Sequence, residues 1–186
     1  QDQRDGGKDQ PVHGLPSRRM QQRIQLGNLS VGFVQPIVDA LAALDIHAGP
    51  LLQRFGLPAA RLAEAGARLS IPHYMRLGHA AIALSQRSDL GLLMGRYNRL
   101  EHLGLAGACA GLAPNIRAAM RTLTRFEPLY AHNHLGQSSL QESGEGAWVS
   151  FYSIAPYNDY NRFVVDAVLK SWHSHMQQLT GQPVRL

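Results

Sequence analysis

The sequence predicts an α+β fold: a mainly helical N-terminal part, a small antiparallel β-hairpin late in the chain, and a C-terminal helix covering that hairpin. Three observations carry the prediction. Apolar residues recur every three to four positions from Ser30 to Tyr130, the period drops to two between Ala147 and Ile154, and helical spacing returns from Asn161 to Leu179.

Residues 1–25 hold Gly, Pro, Gln and mixed charge with almost no apolar spacing. They read as a tail or linker, because such a segment buries too little surface to offset its ordering entropy. The folded domain is expected over 26–186. Ser30 is a candidate N-cap for a first core helix carrying Phe33, Val34, Ile37, Val38, Leu41 and Leu44, with Pro36 in its first turn. Two short helical pieces follow, Ile46 to Gly56 and Pro58 to Ala65. Ser70 and Pro72 then open a longer helix through Tyr74, Met75, Leu77, Ala81 and Leu84.

The rest of the chain is organised around Asp89 to Tyr130. Gly104, Gly107 and Gly111 fall close to one helical face, so a close backbone approach is expected there. Asn115 caps a second pattern, Ile116 to Phe126, that Pro128 ends, and the two segments read as a helical hairpin. Ser138–Glu142 and Ala147–Ile154 are the predicted strands, joined by the polar Ser143-Gly144-Glu145-Gly146. Tyr160 or Asn161 opens the last helix, which carries Phe163, Val164, Val168, Leu169, Trp172, Met176 and Leu179 and stops at Gly181.

A chain of 186 residues with 45% hydrophobic content suffices for one core. The 18 basic residues exceed the 13 acidic ones only mildly and are dispersed, so charge alone does not make this a nucleic-acid binder. A single cysteine, Cys109, excludes an intrachain disulfide, suits the reducing cytoplasm, and is expected as a small buried apolar side chain. No apolar run approaches the roughly 20 residues of a membrane helix, so no membrane association is expected.

Catalytic and cofactor motifs are lacking. Gly104-Leu105-Ala106-Gly107 departs from the dinucleotide fingerprint, and Gly136-Gln137-Ser138-Ser139 lacks the second glycine of a nucleophile elbow. His132 and His134 share one face of a strand, a possible ligand pair without a third partner. His173 and His175 are turned apart by about 200° on a helix. No metal and no cofactor are expected. A helix-turn-helix reading of 46–68 has only Gln53, Arg54, Arg61 and Arg68, spread over different elements, to reach bases and phosphates.

What remains distinctive is an aromatic and amide cluster, Tyr152 to Phe163, together with Arg125, Phe126, Glu127 and Tyr130 at the end of the central hairpin. Apolar walls with a few placed polar groups suit a small-molecule pocket. The plainer reading makes Tyr157 to Asn161 a polar loop capping the last helix.

Asp89-Leu90-Gly91-Leu92, Leu103-Gly104-Leu105-Ala106-Gly107 and Ile116 to Tyr130 together resemble the N-terminal effector-sensing domain of AraC-type transcription regulators, of the arabinose-binding-like subgroup. The resemblance runs from about Leu29 to the last residue. Arg125 to Tyr130 and Tyr157-Asn158-Asp159-Tyr160-Asn161-Arg162-Phe163 look most like ornithine-utilisation regulators. The resemblance implies a non-catalytic sensor of a small-molecule effector that forms a homodimer. It also implies that promoter DNA is reached only through a helix-turn-helix domain missing from this chain, which would then be a piece of a longer regulator. A basic amino acid such as ornithine, bound between the end of the central hairpin and the Tyr157 to Asn161 loop, could bring its ammonium to Glu127 and Asp159. Arg125 or Arg162 would hold the carboxylate, and Phe126, Tyr130, Tyr157 and Tyr160 would form the walls beside Asn158 and Asn161. A small metabolite-processing enzyme and a DNA-binding module at 46–68 are the alternatives.

Overall fold

The computed structural model describes residues 26–144 and 146–184. The predicted tail, 1–25, lies outside the described residues, as do Glu145 of the strand connection and the last two positions. Three side-chain caps set helix starts: Ser30 Oγ accepts from the Gly32 N–H (3.1 Å), Ser70 Oγ from the His73 N–H (3.3 Å) and Asn115 Oδ1 from the Ala118 N–H (2.9 Å). The first opens a 3-10 turn, Val31–Val34, that leads into α1 (Gln35–Ala42). Pro36 therefore sits in the first α turn, where its missing N–H costs nothing.

Two short helices follow, α2 (Gly49–Arg54) and α3 (Ala59–Leu62), then α4 (Ile71–Ser85) and α5 (Leu90–Tyr97). A 3-10 turn at Leu100–Leu103 leads into α6 (Gly104–Gly111), and α7 (Ile116–Arg125) returns against it as the predicted hairpin. One further turn, α8 (Glu127–Tyr130), carries Pro128 within its first two positions, so this proline starts a helix as well as ending one. The last helix, α9 (Arg162–Thr180), stops at Gly181 in the left-handed conformation.

Two small antiparallel sheets complete the α+β fold. The late hairpin pairs β4 (Ser139–Glu142) with β5 (Ala147–Ser150), placing Leu140 opposite Val149. Its second strand is shorter than predicted. Beyond Ser150 the chain leaves the ladder, and the Phe151 ring turns against Trp172 of α9, centroids 6.5 Å apart. The other sheet is not visible in the sequence pattern: β1 (Gly27–Ser30) lies between β2 (Arg68–Ser70) and β3 (Ala131–Asn133), and all three are antiparallel. Strands of three or four residues give no alternation to detect.

Two apolar clusters form the core. The larger centres on Val34, Ile37, Leu41, Met75, Leu77, Leu90, Met94 and Phe163, from the first half of the chain and α9. The smaller holds Leu103, Ala110, Ala119, Met120 and Leu123, with Leu140, Val149, Trp172 and Met176 packed around it. Here α9 covers the hairpin as expected. Leu169, however, is exposed, because the inner row of α9 runs through Phe163, Ala167, Ser171 and His175.

The close helix contact lies elsewhere than the expected glycine face. At Gly91 a Cβ would stand 2.8 Å from the Phe163 Cα, and at Gly95 one would stand 2.7 Å from the Ala167 carbonyl oxygen, so α5 lies directly on α9. Of Gly104, Gly107 and Gly111, only Gly107 is so confined, against the Leu100 carbonyl. Cys109 is exposed rather than buried, because α6 turns Ala106, Gly107 and Ala110 inward and presents Leu105, Ala108, Cys109 and Leu112 to solvent.

Candidate functional site

Where the two core clusters meet, the packing leaves a cavity of about 120 Å³. Its walls are mostly apolar, with Phe33, Tyr74, Met94, Leu123, Phe151 and Trp172 among them. Each wall residue is delivered by a different piece of the fold: the first 3-10 turn, α4, α5, α7, the segment after β5, and α9. Beside Asn133, Ser153 and Asn161, two sets of polar groups stand on the lining. Glu127, Tyr130 and Ser138 form one; Asn98, Ser171 and His175 form the other.

Glu127 stands at the first position of α8. Its carboxylate accepts from the Ser138 N–H (2.6 Å) and the Ser138 hydroxyl (2.7 Å). Burial raises its pKa above the ordinary carboxylate range, and the two Ser138 hydrogen bonds pull it partly back. The Tyr130 hydroxyl donates to the Leu123 carbonyl at 3.0 Å and, desolvated beside Glu127, is harder to ionise than a free phenol.

In the second set, Asn98 Nδ2 donates to Ser171 Oγ at 2.9 Å, and that hydroxyl donates on to the Ala167 carbonyl at 2.6 Å. His175, one turn further along α9, is 1% exposed, and burial lowers its pKa to about 4, with His102 opposing a second charge. At neutral pH the ring is uncharged.

Of the site residues expected from sequence, the structure brings Glu127, Tyr130 and Asn161 to this cavity. The others lie outside it. Arg125 rests over the exposed Phe126 ring, 5.5 Å from its centroid. Arg162 forms a surface ion pair with Asp159, and Tyr160 stacks on His79 with centroids 4.8 Å apart. Tyr157 and Asn158 are exposed. Asn161 itself is fully engaged by the chain: Nδ2 donates to Ser153 Oγ and to the Ala155 and Pro156 carbonyls, each at 3.0 Å, and Oδ1 accepts from the Asn158 N–H at 2.8 Å. It fastens the loop before α9, and its side chain makes no capping bond to the helix.

Asn98, Ser171 and His175 are not legible as site residues. The one signal for them is the i, i+4 row Ala167, Ser171, His175, small and polar on a helix face otherwise apolar. Among the described residues the lining includes no Lys or Arg. The expected His132–His134 pair does share a face, rings 4.5 Å apart, but no group of three or more His, Cys, Asp or Glu positioned for a metal occurs among the described residues. In the helix-turn-helix alternative, Arg61 is paired with Glu64 at 2.5 Å, and Arg68 belongs to β2. No described helix is long and apolar enough to cross a membrane.

A comparison with curated proteins finds no match. The family model described as the arabinose-binding domain of AraC transcription regulators, N-terminal, matches residues 46–186, from the turn before α2 to the end of the chain. That family comprises ligand-sensing, non-enzymatic regulatory domains. By a match over most of its length, the chain belongs to the arabinose-binding N-terminal domain family of AraC transcription regulators.

Proposed function

We propose that this domain senses a small molecule with an apolar body and an amine end, bound in the cavity between the two core clusters with the amine at Glu127. The observation that carries the reading is the cavity itself: mostly apolar, built from many separate parts of the fold, with a half-buried carboxylate on its wall. Its volume suits a compact ligand, since an engineered cavity of roughly 150 Å³ holds benzene. An ammonium beside Glu127 would favour the ionised form that burial opposes. Ornithine, the ligand suggested by the sequence, would bring that amine but also a carboxylate, for which the lining supplies no cation. We therefore favour an amine without a free carboxylate. Occupancy would bias an attached DNA-binding domain in the cytoplasm by favouring one arrangement over another.

A thermal-shift screen of alkyl and aryl amines, polyamines and amino acids, ornithine included, tests this. A ligand at a hundredfold its Kd stabilises the fold by about 2.7 kcal/mol. The reading is overturned if ornithine outperforms its decarboxylated diamine, or if Glu127→Gln and Trp172→Ala leave the affinity of a bound amine unchanged.

We further propose that the domain pairs with a second copy, matching the two-fold arrangement by which dimeric regulators meet paired half-sites. The exposed face of α6 favours this: Leu105, Ala108, Cys109 and Leu112 form an uncharged stripe.

A further inference from the structure

His175 is a buried imidazole without a hydrogen-bond partner among the described residues. It is 1% exposed, and neither ring nitrogen makes a hydrogen bond to any described residue. The Asn98 carbonyl, which accepts from Gln178 Nε2 at 3.2 Å, lies toward the ring, but no bond of ordinary geometry to His175 forms. Buried polar side chains are rarely left so, because each unpaired group loses its hydration with nothing in return. The neighbouring polar groups are satisfied among themselves: Asn98 donates to Ser171, and Ser171 to the Ala167 carbonyl. Lys170 Nζ and the Val184 carbonyl engage His173, on the opposite side of the helix.

The ring lines the cavity. Both ring nitrogens are shielded from solvent, so a ligand in the cavity engages one only once the imidazole turns. A neutral imidazole offers one N–H donor and one bare nitrogen acceptor. A carboxylate only accepts and would be buried with no cation on the lining; an ammonium only donates and would be buried with no anion at this end. A hydroxyl both donates and accepts without charge.

We infer that His175 is the second polar anchor of the effector site, and that the effector carries an uncharged hydroxyl that hydrogen-bonds to it. This rests on the proposed use of the cavity as the effector site and narrows the ligand class to a hydroxylated molecule with an apolar body. Ser171 and Asn98 hold the wall beside it, and Glu127 remains the separate partner for an amine.

The probes are toluene and benzyl alcohol, which differ by one hydroxyl, titrated into the chain with the His175 ring followed by ¹⁵N NMR. The expected result is that benzyl alcohol binds about tenfold more tightly than toluene and shifts both ring nitrogens. His175→Leu should lose that preference while still binding toluene, and His175→Gln, which keeps a donor and an acceptor, should restore part of it. Equal affinity of the two probes, or a preference that survives His175→Leu, overturns the role of His175 and leaves the cavity reading standing. If neither probe binds the folded protein, this inference fails, and the amine screen decides the cavity reading separately.

Discussion

Arg68 Nη1 donates to the Leu129 carbonyl at 2.8 Å, joining β2 to α8 across 61 residues of sequence. The same guanidinium reaches the Pro128 carbonyl at 3.5 Å and both the side chain and the carbonyl of Asn28 on β1. One side chain therefore fixes the turn that carries Glu127 and Tyr130 against the three-stranded sheet.

Arg68→Ala should destabilise the domain by about 2 kcal/mol, since several hydrogen bonds from a charged donor are lost at once. Arg68→Lys should recover little, because an ammonium lacks the fork that spans these carbonyls. Urea denaturation measures both. Near-wild-type stability of the lysine variant would show that charge alone suffices.

Gly91→Ala should cost about 1–3 kcal/mol despite the better helix propensity of alanine, because the new methyl meets the backbone of Phe163 and must separate α5 from α9. Gly144→Ala, with nothing within 4 Å of the added atom, should stay within about 0.5 kcal/mol of wild type. A neutral Gly91→Ala would mean that the two helices separate without cost.

The raised pKa of Glu127 fixes the sign of a pH effect. Its contribution to stability is complete below the unfolded value of about 4.3 and is lost as pH rises through the higher folded value. Glu127→Gln cannot ionise. The stability of wild type relative to this variant should therefore fall as pH rises from about 4.3 until Glu127 has ionised in the folded protein. Paired denaturation curves across that window check it, and a difference that rises instead would mean that the Ser138 hydrogen bonds outweigh burial.

Asn161→Ala should destabilise the fold by about 2–3 kcal/mol, since the Asn158 N–H and the Ala155 carbonyl lose their partner at a position 1% exposed. Hydrogen exchange of the 153–161 loop should rise in parallel. A silent substitution would show that water replaces the amide without cost.

Sedimentation should report a dimer for wild type and a monomer for Leu105→Glu, with thermal stability unchanged, since Leu105 is 72% exposed and supports no core contact in the single chain. A dimer that survives the substitution would move the pairing surface away from α6.

Much of the architecture was legible because it is local. Ser30, Ser70 and Asn115 cap helices within three residues of themselves, and the β4–β5 hairpin forms across a four-residue connection. The order of helices, hairpin and covering helix follows from such signals. The sheet of β1, β2 and β3 does not, because its strands are too short to show a period and pair over tens of residues. Nor does the cavity. Tyr157, Asp159 and Tyr160 have the composition of a pocket wall but are exposed, whereas Phe33, Asn98 and His175 converge from distant elements with no motif among them. Sequence alone determined where the chain becomes helical, where it turns and which family it resembles, because caps, turns and periodicity act within a few residues. Which of its polar groups end up buried together was decided only by tertiary packing, where the approach of α5 to α9 and the clamp of Arg68 on α8 bring together side chains that the sequence keeps far apart.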